Sequence, residues 1–205
     1  RYLTQAGGAM SPDTADWVRE AFAPARLFVM YGQTEATARL SYLPPERGVE
    51  KRGSAGVQIP GVEMRIVDDS GNELPAGTHG EVVARGRNVT PGYYASPEET
   101  AAILHDGWLW TGDLGYRDAD GFFFLVGRAK DILKIGGHRV SPAQIEAALL
   151  EHPGVSAAAV AGVGDPLSGE VPGALVVAVP GAIVDAEELR RFCAQRLPAY
   201  MVPRF

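Results

Sequence analysis

Five consecutive residues, Tyr31-Gly32-Gln33-Thr34-Glu35, hold three side chains with complementary chemistry. A phenol ring can stack on a purine, the Thr34 hydroxyl can donate to a phosphate oxygen, and the Glu35 carboxylate is a hard oxygen ligand for Mg²⁺. Gly32 between them permits a sharp turn. Far downstream, Thr111-Gly112-Asp113 offers a carboxylate whose two oxygens can accept from two ribose hydroxyls. A third segment, 127–137, carries Arg128, Lys130 and Lys134. Lys130 and Lys134 lie four apart around an apolar run, so an extended backbone turns both to one side, where two ammonium groups repel unless an anion sits between them. Each group also has a plainer use: Tyr31 as a core aromatic, Glu35 as a solvated side chain, Asp113 as a turn cap, the lysines as solvated residues on an edge strand. Gln5-Ala6-Gly7-Gly8-Ala9 likewise either lets a flat ring pass close to bare backbone or simply makes a tight turn.

Three kinds of structure must position these residues. Residues 1–40 read as a strand, the Gly7-Gly8 turn, a helix over about 12–22, a strand over 27–29 and the Tyr31-Gly32 turn, with Ser11 as N-cap and Pro12 at the first helical position. That is an α/β unit, whose functional turns follow the carboxyl ends of strands. From about 54 to 126 the pattern has period two: Val62, Met64 and Ile66 alternate with Glu63 and Arg65, and further strands are expected at 80–85, 108–111 and 122–126, as a small antiparallel barrel or sandwich. Within it Ser96-Pro97-Glu98-Glu99 predicts a helix start with a capping box. Asp118-Ala119-Asp120-Gly121 lacks the later ligands of a calcium loop and predicts a hairpin turn. Beyond Gly127 comes an α+β module: a strand over 132–135, a helix over 142–151, strands over 155–163 and 174–179, and a helix over 186–196. Ser141 with Gln144 and Asp185 with Glu188 mark the two helix starts. The expected architecture is a partial α/β sheet unit (1–40) and a β-rich subdomain (54–126) within one domain, 1–127, followed by a small α+β domain, 128–205.

Of the 205 residues 46% are apolar and 21% charged, which leaves room for a sizeable core. The net charge of −6, with scattered Lys and Arg, argues against a nucleic-acid partner. One cysteine, Cys193, excludes an intrachain disulfide and is expected in a helix core. No apolar run reaches the ~18–20 residues that span a bilayer, and no secretion signal opens the chain, so the expected setting is cytoplasmic. His79, His105 and His152 show no metal-ligand spacing, and His138 is expected as an exposed loop residue.

In order and content, Tyr31 to Glu35, Thr111 to Asp113 and Gly127-Arg128-Ala129-Lys130-Asp131-Ile132-Leu133-Lys134-Ile135-Gly136-Gly137 resemble the AMP-forming, acyl-activating enzyme superfamily, and the resemblance extends over essentially the whole chain. It implies ATP or AMP, Mg²⁺ and coenzyme A as ligands, with a carboxylic acid as substrate and fatty-acid metabolism as a setting. By residue, it implies adenine contacts for Gly8, Ala9 and Tyr31, with Gly32 at the turn, and a place beside the acyl and adenine pockets for Met30. It implies the α-phosphate for Thr34 and Mg²⁺ for Glu35. Asp113 is implied for the ribose with Arg128 as its partner, and Lys130 as a hinge and phosphate contact. Lys134 falls in the segment that closes the site for thioester formation, and Gly136 and Gly137 match backbone lining the pantetheine tunnel. The family's Pro-x-Glu-Ile-Glu stretch is here Pro142-Ala143-Gln144-Ile145-Glu146, a departure a capping box tolerates.

The same resemblance implies that only the later part of a family member is present. The lysine-bearing phosphate loop would lie before Arg1, and another lysine beyond the Pro198 to Phe205 stretch. Removing such a charge clamp costs a factor of ~10² or more in turnover, so the 205 residues alone are expected not to form acyl-adenylate at an appreciable rate. The favoured reading is an acyl-CoA synthetase, with the missing N-terminal part of the same enzyme as a possible partner. Its rivals are an amino-acid adenylation domain that loads a carrier protein and a non-catalytic nucleotide-binding module.

Overall fold

The structure, a computed structural model, describes residues 1–166 and 168–204, with the side chain of Arg139 set aside. Of the Pro198 to Phe205 stretch, Phe205 lies outside the described residues. The chain divides into two compact units, Arg1–Leu125 and Val126–Phe205.

The first unit opens with β1 (Tyr2–Gln5), α1 (Pro12–Ala21) and β2 (Arg26–Tyr31). α1 starts where the sequence places it: the Ser11 hydroxyl accepts the Thr14 N–H at 3.1 Å, and Pro12 occupies the first turn. β1 and β2 pair in parallel, as a strand–helix–strand crossover requires. Two short strands that the sequence pattern does not reveal, β3 (Ser41–Leu43) and β4 (Val57–Gln58), then add antiparallel, giving the order β1-β2-β3-β4.

The period-two region forms β5 (Val62–Val67), β6 (Gly80–Gly86), α2 (Pro97–Ile103), β7 (Leu104–His105), β8 (Trp108–Arg117) and β9 (Phe123–Arg128), a five-stranded antiparallel sheet ordered β5-β6-β8-β7 with β9 on β8. β8 runs six residues past the expected end at Thr111, because its alternation of half-buried and buried residues continues through Gly115. Val62, Met64 and Ile66 turn inward with Val82, Ala84, Leu109 and Phe123, and Ala36 and Leu40 complete this core. Leu40 is fully buried, which at about 1.5–3 kcal/mol for a leucine anchors the segment after Glu35 to the sheet. The Asp118 turn forms a hairpin: its carboxylate accepts the Asp120 and Phe122 N–H groups, and Lys51 binds both Asp118 and Asp120. At Ser96 the expected capping box is absent. The Ser96 carbonyl, not its hydroxyl, accepts from both the Thr100 N–H and the Thr100 hydroxyl.

The second unit contains β10 (Leu133–Ile135), β11 (His138–Val140), α3 (Pro142–Leu150), β12 (Val155–Asp165), β13 (Gly169–Ala178) and α4 (Ala186–Ala194), with sheet order β11-β10-β13-β12. Leu133, Ile135, Val140, Ile145, Leu149, Val160, Cys193 and Met201 form its core, and Cys193 is fully buried on α4. Asp185 caps α4 through the Glu188 N–H at 3.2 Å. Ser141 does not cap α3 in the expected way: the Gln144 N–H goes to the Ser141 carbonyl, and the buried hydroxyl lies beside Gly127 with no hydrogen-bond partner. His138 is exposed, but it belongs to β11 rather than a loop and stacks on Tyr200 with ring centres 4.1 Å apart.

Candidate nucleotide site

Tyr31 ends β2, and β8 carries Asp113, 82 positions later. The fold brings them into direct contact: the Tyr31 hydroxyl donates to Asp113 Oδ2 at 2.7 Å. Tyr31 is half-buried and Asp113 is 8% exposed, so a carboxylate is held within the sheet by a bond of the charge-assisted kind.

The segment following Tyr31 is tightly folded. Thr34, Glu35 and Ala36 make a single 3-10 turn, after which Thr37 (φ 53°) and Ala38 (φ 65°) both adopt the left-handed conformation, which costs a non-glycine residue roughly 1–2 kcal/mol each. Asn88 fastens this turn. Its side-chain amide donates to the carbonyls of Ala36 (3.0 Å) and Arg39 (2.9 Å), and its own carbonyl accepts from the Thr37 hydroxyl at 2.6 Å. Gly32 is needed here for room rather than for φ: a Cβ would stand 2.6 Å from the Ala38 carbonyl oxygen and 2.7 Å from Arg39 Cα. Thr34 is exposed, whereas Glu35 is half-buried and one of its carboxylate oxygens accepts from the Tyr93 hydroxyl at 2.6 Å. That bond, helped by burial, raises the Tyr93 phenol above its usual pKa.

After β1, Gly7 takes φ +89° and the Gln5 amide donates to the Gly8 carbonyl at 2.6 Å. No heavy atom lies within 4 Å of a Cβ placed on Gly7 or Gly8, and Gly8 and Ala9 are exposed. Met30, half-buried on β2, pairs with Tyr42 of β3. The first unit thus offers an aromatic ring, a carboxylate bonded to it, a hydroxyl and a second carboxylate on one short turn, and a bare glycine turn. Among the described residues no three His, Cys, Asp or Glu side chains converge as a metal cage. A Mg²⁺ fits only as Glu35 plus phosphate oxygens and water, which is how that ion is ordinarily held with nucleotides.

The remaining candidates lie in the second unit. Arg128 ends β9, Lys130 sits in a 3-10 turn over Ala129–Asp131, and Lys134 is the middle residue of β10; all three are exposed. The 3-10 turn corrects the expectation that one extended strand turns Lys130 and Lys134 to the same side, since the period-two argument does not cross it. Gly136 (φ 55°) and Gly137 (φ 83°) form the two-residue turn between β10 and β11, closed by the Ile135–His138 pair. Consecutive left-handed residues are what a tight hairpin demands, so this glycine pair has a structural cause of its own.

Three residues at the site escape sequence reasoning: Tyr93, which holds Glu35; Asn88, which pins the turn; and Glu81 of β6, which accepts the Gly112 N–H at 3.0 Å. Burial raises the Glu81 pKa, as does the nearby Asp113 charge, while the Gly112 bond opposes them. The only signal in the sequence is a tyrosine after a glycine at 92–93 and a Glu just before the apolar run Val82-Val83-Ala84.

Comparison with known proteins gives two family matches: the AMP-binding enzyme model over residues 1–94 and the AMP-binding enzyme C-terminal domain over 144–205. A 2-succinylbenzoate–CoA ligase of Geobacillus kaustophilus is 43% identical over 179 residues, covering 86% of this chain and 36% of the relative. An oxalate–CoA ligase of Arabidopsis thaliana is 38% identical over all 205 residues, 40% of its own length. Among solved structures, the o-succinylbenzoate CoA synthetase of Bacillus subtilis in complex with the acyl-adenylate intermediate OSB-AMP superposes with a TM-score of 0.92 at 36% identity, covering 100% of this chain and 41% of that one. The amide bond synthetase McbA of Marinactinospora thermotolerans gives 0.90 at 40% identity, with 100% and 41% covered. The chain thus spans well under half the length of the relatives it matches.

Proposed function

Because the chain belongs to the AMP-binding enzyme family, we propose that it contributes to a ligase that activates a carboxylic acid with ATP and passes the acyl group to coenzyme A. A substrate carboxylate oxygen attacks the α-phosphorus and pyrophosphate leaves; the CoA sulfur then attacks the acyl carbon, AMP leaves, and the thiol proton is released. The observation that carries this reading is the 2.7 Å bond between Tyr31 and Asp113, beside the turn that bears Thr34 and Glu35.

In this reading the adenine lies against the Tyr31 ring and the bare Gly8-Ala9 backbone, with Met30 and Gly32 nearby. Asp113 accepts from the ribose hydroxyls with Arg128 as partner, and the Thr34 hydroxyl donates to the α-phosphate. Mg²⁺ held by Glu35 supplies charge neutralisation at the phosphates. Lys130 serves as hinge and phosphate contact, Lys134 works in the thioester step, and Gly136 and Gly137 line the thiol's path. The setting is the cytoplasm, with fatty-acid metabolism as the field of action.

Binding of a fluorescent N-methylanthraniloyl AMP, competed by unlabelled AMP, tests the first half. Tyr31→Ala should weaken AMP about 10-fold, since base–aromatic stacking is worth about 1–3 kcal/mol; competition by inorganic pyrophosphate as strong as by AMP would sink the reading. For the acceptor, mass spectrometry of the polypeptide that carries this chain, supplied with carboxylic acids, ATP and either CoA or amines, should yield acyl-CoA. An exclusive amide product would favour the chemistry of the amide bond synthetase instead.

A further inference from the structure

The pairing of β6 with β8 is offset at one place: Glu81 lies opposite Leu114 and Val83 opposite Trp110, so three residues, Thr111, Gly112 and Asp113, face Val82 alone. Such a bulge re-aims side chains and leaves backbone groups without ladder partners. Here three of them find partners on β6 or within the bulge. The Thr111 hydroxyl donates to the Val82 carbonyl at 2.7 Å and accepts the Asp113 N–H at 3.1 Å. The Gly112 N–H, on a glycine with φ +70°, goes to Glu81 Oε1 at 3.0 Å. Glu81 is half-buried, and its carboxylate grips the bulge backbone from β6, while the Tyr31 hydroxyl bonds the Asp113 side chain. Without that bond, Gly112, which has no Cβ, loses the partner of its N–H, and Asp113 is the next residue.

We propose that Glu81 is a positioning residue for nucleoside recognition, fixing the bulge through Gly112 so that the Asp113 carboxylate is presented beside Tyr31 to the ribose hydroxyls. The inference rests on the ribose role given to Asp113 above. The two acids lie close together: burial pushes the Glu81 carboxyl up, the Gly112 N–H holds it down, the charges of Asp113 and Asp69 raise it, and His105 acts the other way.

The test is calorimetric titration of the 205-residue chain with AMP and with 2′,3′-dideoxy-AMP. In Glu81→Leu, AMP affinity should fall about 10-fold, the loss expected for a hydrogen bond to a charged group, to the level of Asp113→Asn. The double variant should be no weaker than either single one. Glu81→Gln, which keeps an acceptor for Gly112, should stay within about threefold of wild type, and dideoxy-AMP should bind all variants alike. Retention of full AMP preference by Glu81→Leu while Asp113→Asn loses it overturns the inference. A wild-type chain that binds AMP no better than the dideoxy analogue overturns the ribose reading beneath it. Should Glu81→Leu fail to fold, the wild-type Gly112 amide resonance decides: it must shift with pH and lose a titration step in Glu81→Gln, and an identical titration in both overturns the proposal.

Discussion

Replacing Asn88 separates hydrogen bonding from packing at the turn that carries Thr34 and Glu35. Its amide donates to Ala36 and Arg39 carbonyls, and its Oδ1 is sealed from solvent with no hydrogen-bond partner. Asn88→Ala removes two neutral bonds of about 0.5–1.5 kcal/mol each, and water can reach the more exposed Arg39 carbonyl, so a loss of about 1–2 kcal/mol is expected. Asn88→Asp keeps the shape but sets a carboxylate oxygen against two carbonyls and buries the other, so the loss should rise to about 2–4 kcal/mol. The assay is urea unfolding followed by tryptophan fluorescence: the three tryptophans, Trp17, Trp108 and Trp110, all lie in the first unit, so the signal reports that unit alone. With a slope of about 2 kcal/mol/M, the midpoints should drop by about 0.5–1 M for Ala and about 1–2 M for Asp. If Asn88→Asp is as stable as Asn88→Ala or more so, the side chain merely fills space and the argument fails.

Three further outcomes are expected. Tyr93→Phe frees the Glu35 carboxylate to rotate, so Mg·ATP affinity should fall by about 10-fold while metal-free AMP binding is unchanged; equal effects on both would show that Tyr93 acts elsewhere. Asp118 is partly buried, yet the Lys51 bond and the Phe122 N–H hold its carboxyl below the usual value, so its contribution is present above that value and lost as pH falls through the lowered one. The stability gap between wild type and Asp118→Asn at pH 7 should therefore close below about pH 4, as read by fluorescence-monitored unfolding, and a gap independent of pH would contradict this. Gly137→Ala should destabilise the second unit by about 1–2 kcal/mol, and Gly137→Asn by less, measured by amide hydrogen exchange in β10 and β11; a neutral Gly137→Ala would rule out a left-handed requirement.

What the sequence reveals is what is local or periodic. The alternation of Val62, Met64 and Ile66 marks a strand because period two is written in consecutive residues, and Ser11-Pro12 marks a helix start because the cap bond spans three positions. Likewise, Tyr31, Thr34 and Glu35 are visible as a cluster because they lie within five consecutive residues. The supports of that turn are invisible because they come from afar: Asn88 lies 52 positions from Ala36, Tyr93 lies 58 from Glu35, and Glu81 lies 31 from Gly112. β3 and β4, at three and two residues, are too short to show a period. Ser96 and Ser141 have the residue types of a capping box, yet in both places a backbone carbonyl takes the bond, which only the fold decides.

The surplus that lifts Asp113 out of the β6–β8 ladder is two residues, an even number. A slip of one would turn every later side chain of the strand inside out, whereas two leave the in-and-out order intact, and Leu109, Thr111, Asp113 and Gly115 all point inward. Relative to β6, the dipeptide is therefore an in-register surplus. A deletion of Gly112-Asp113 would strip the carboxylate that Tyr31 bonds while keeping the β6 ladder in register.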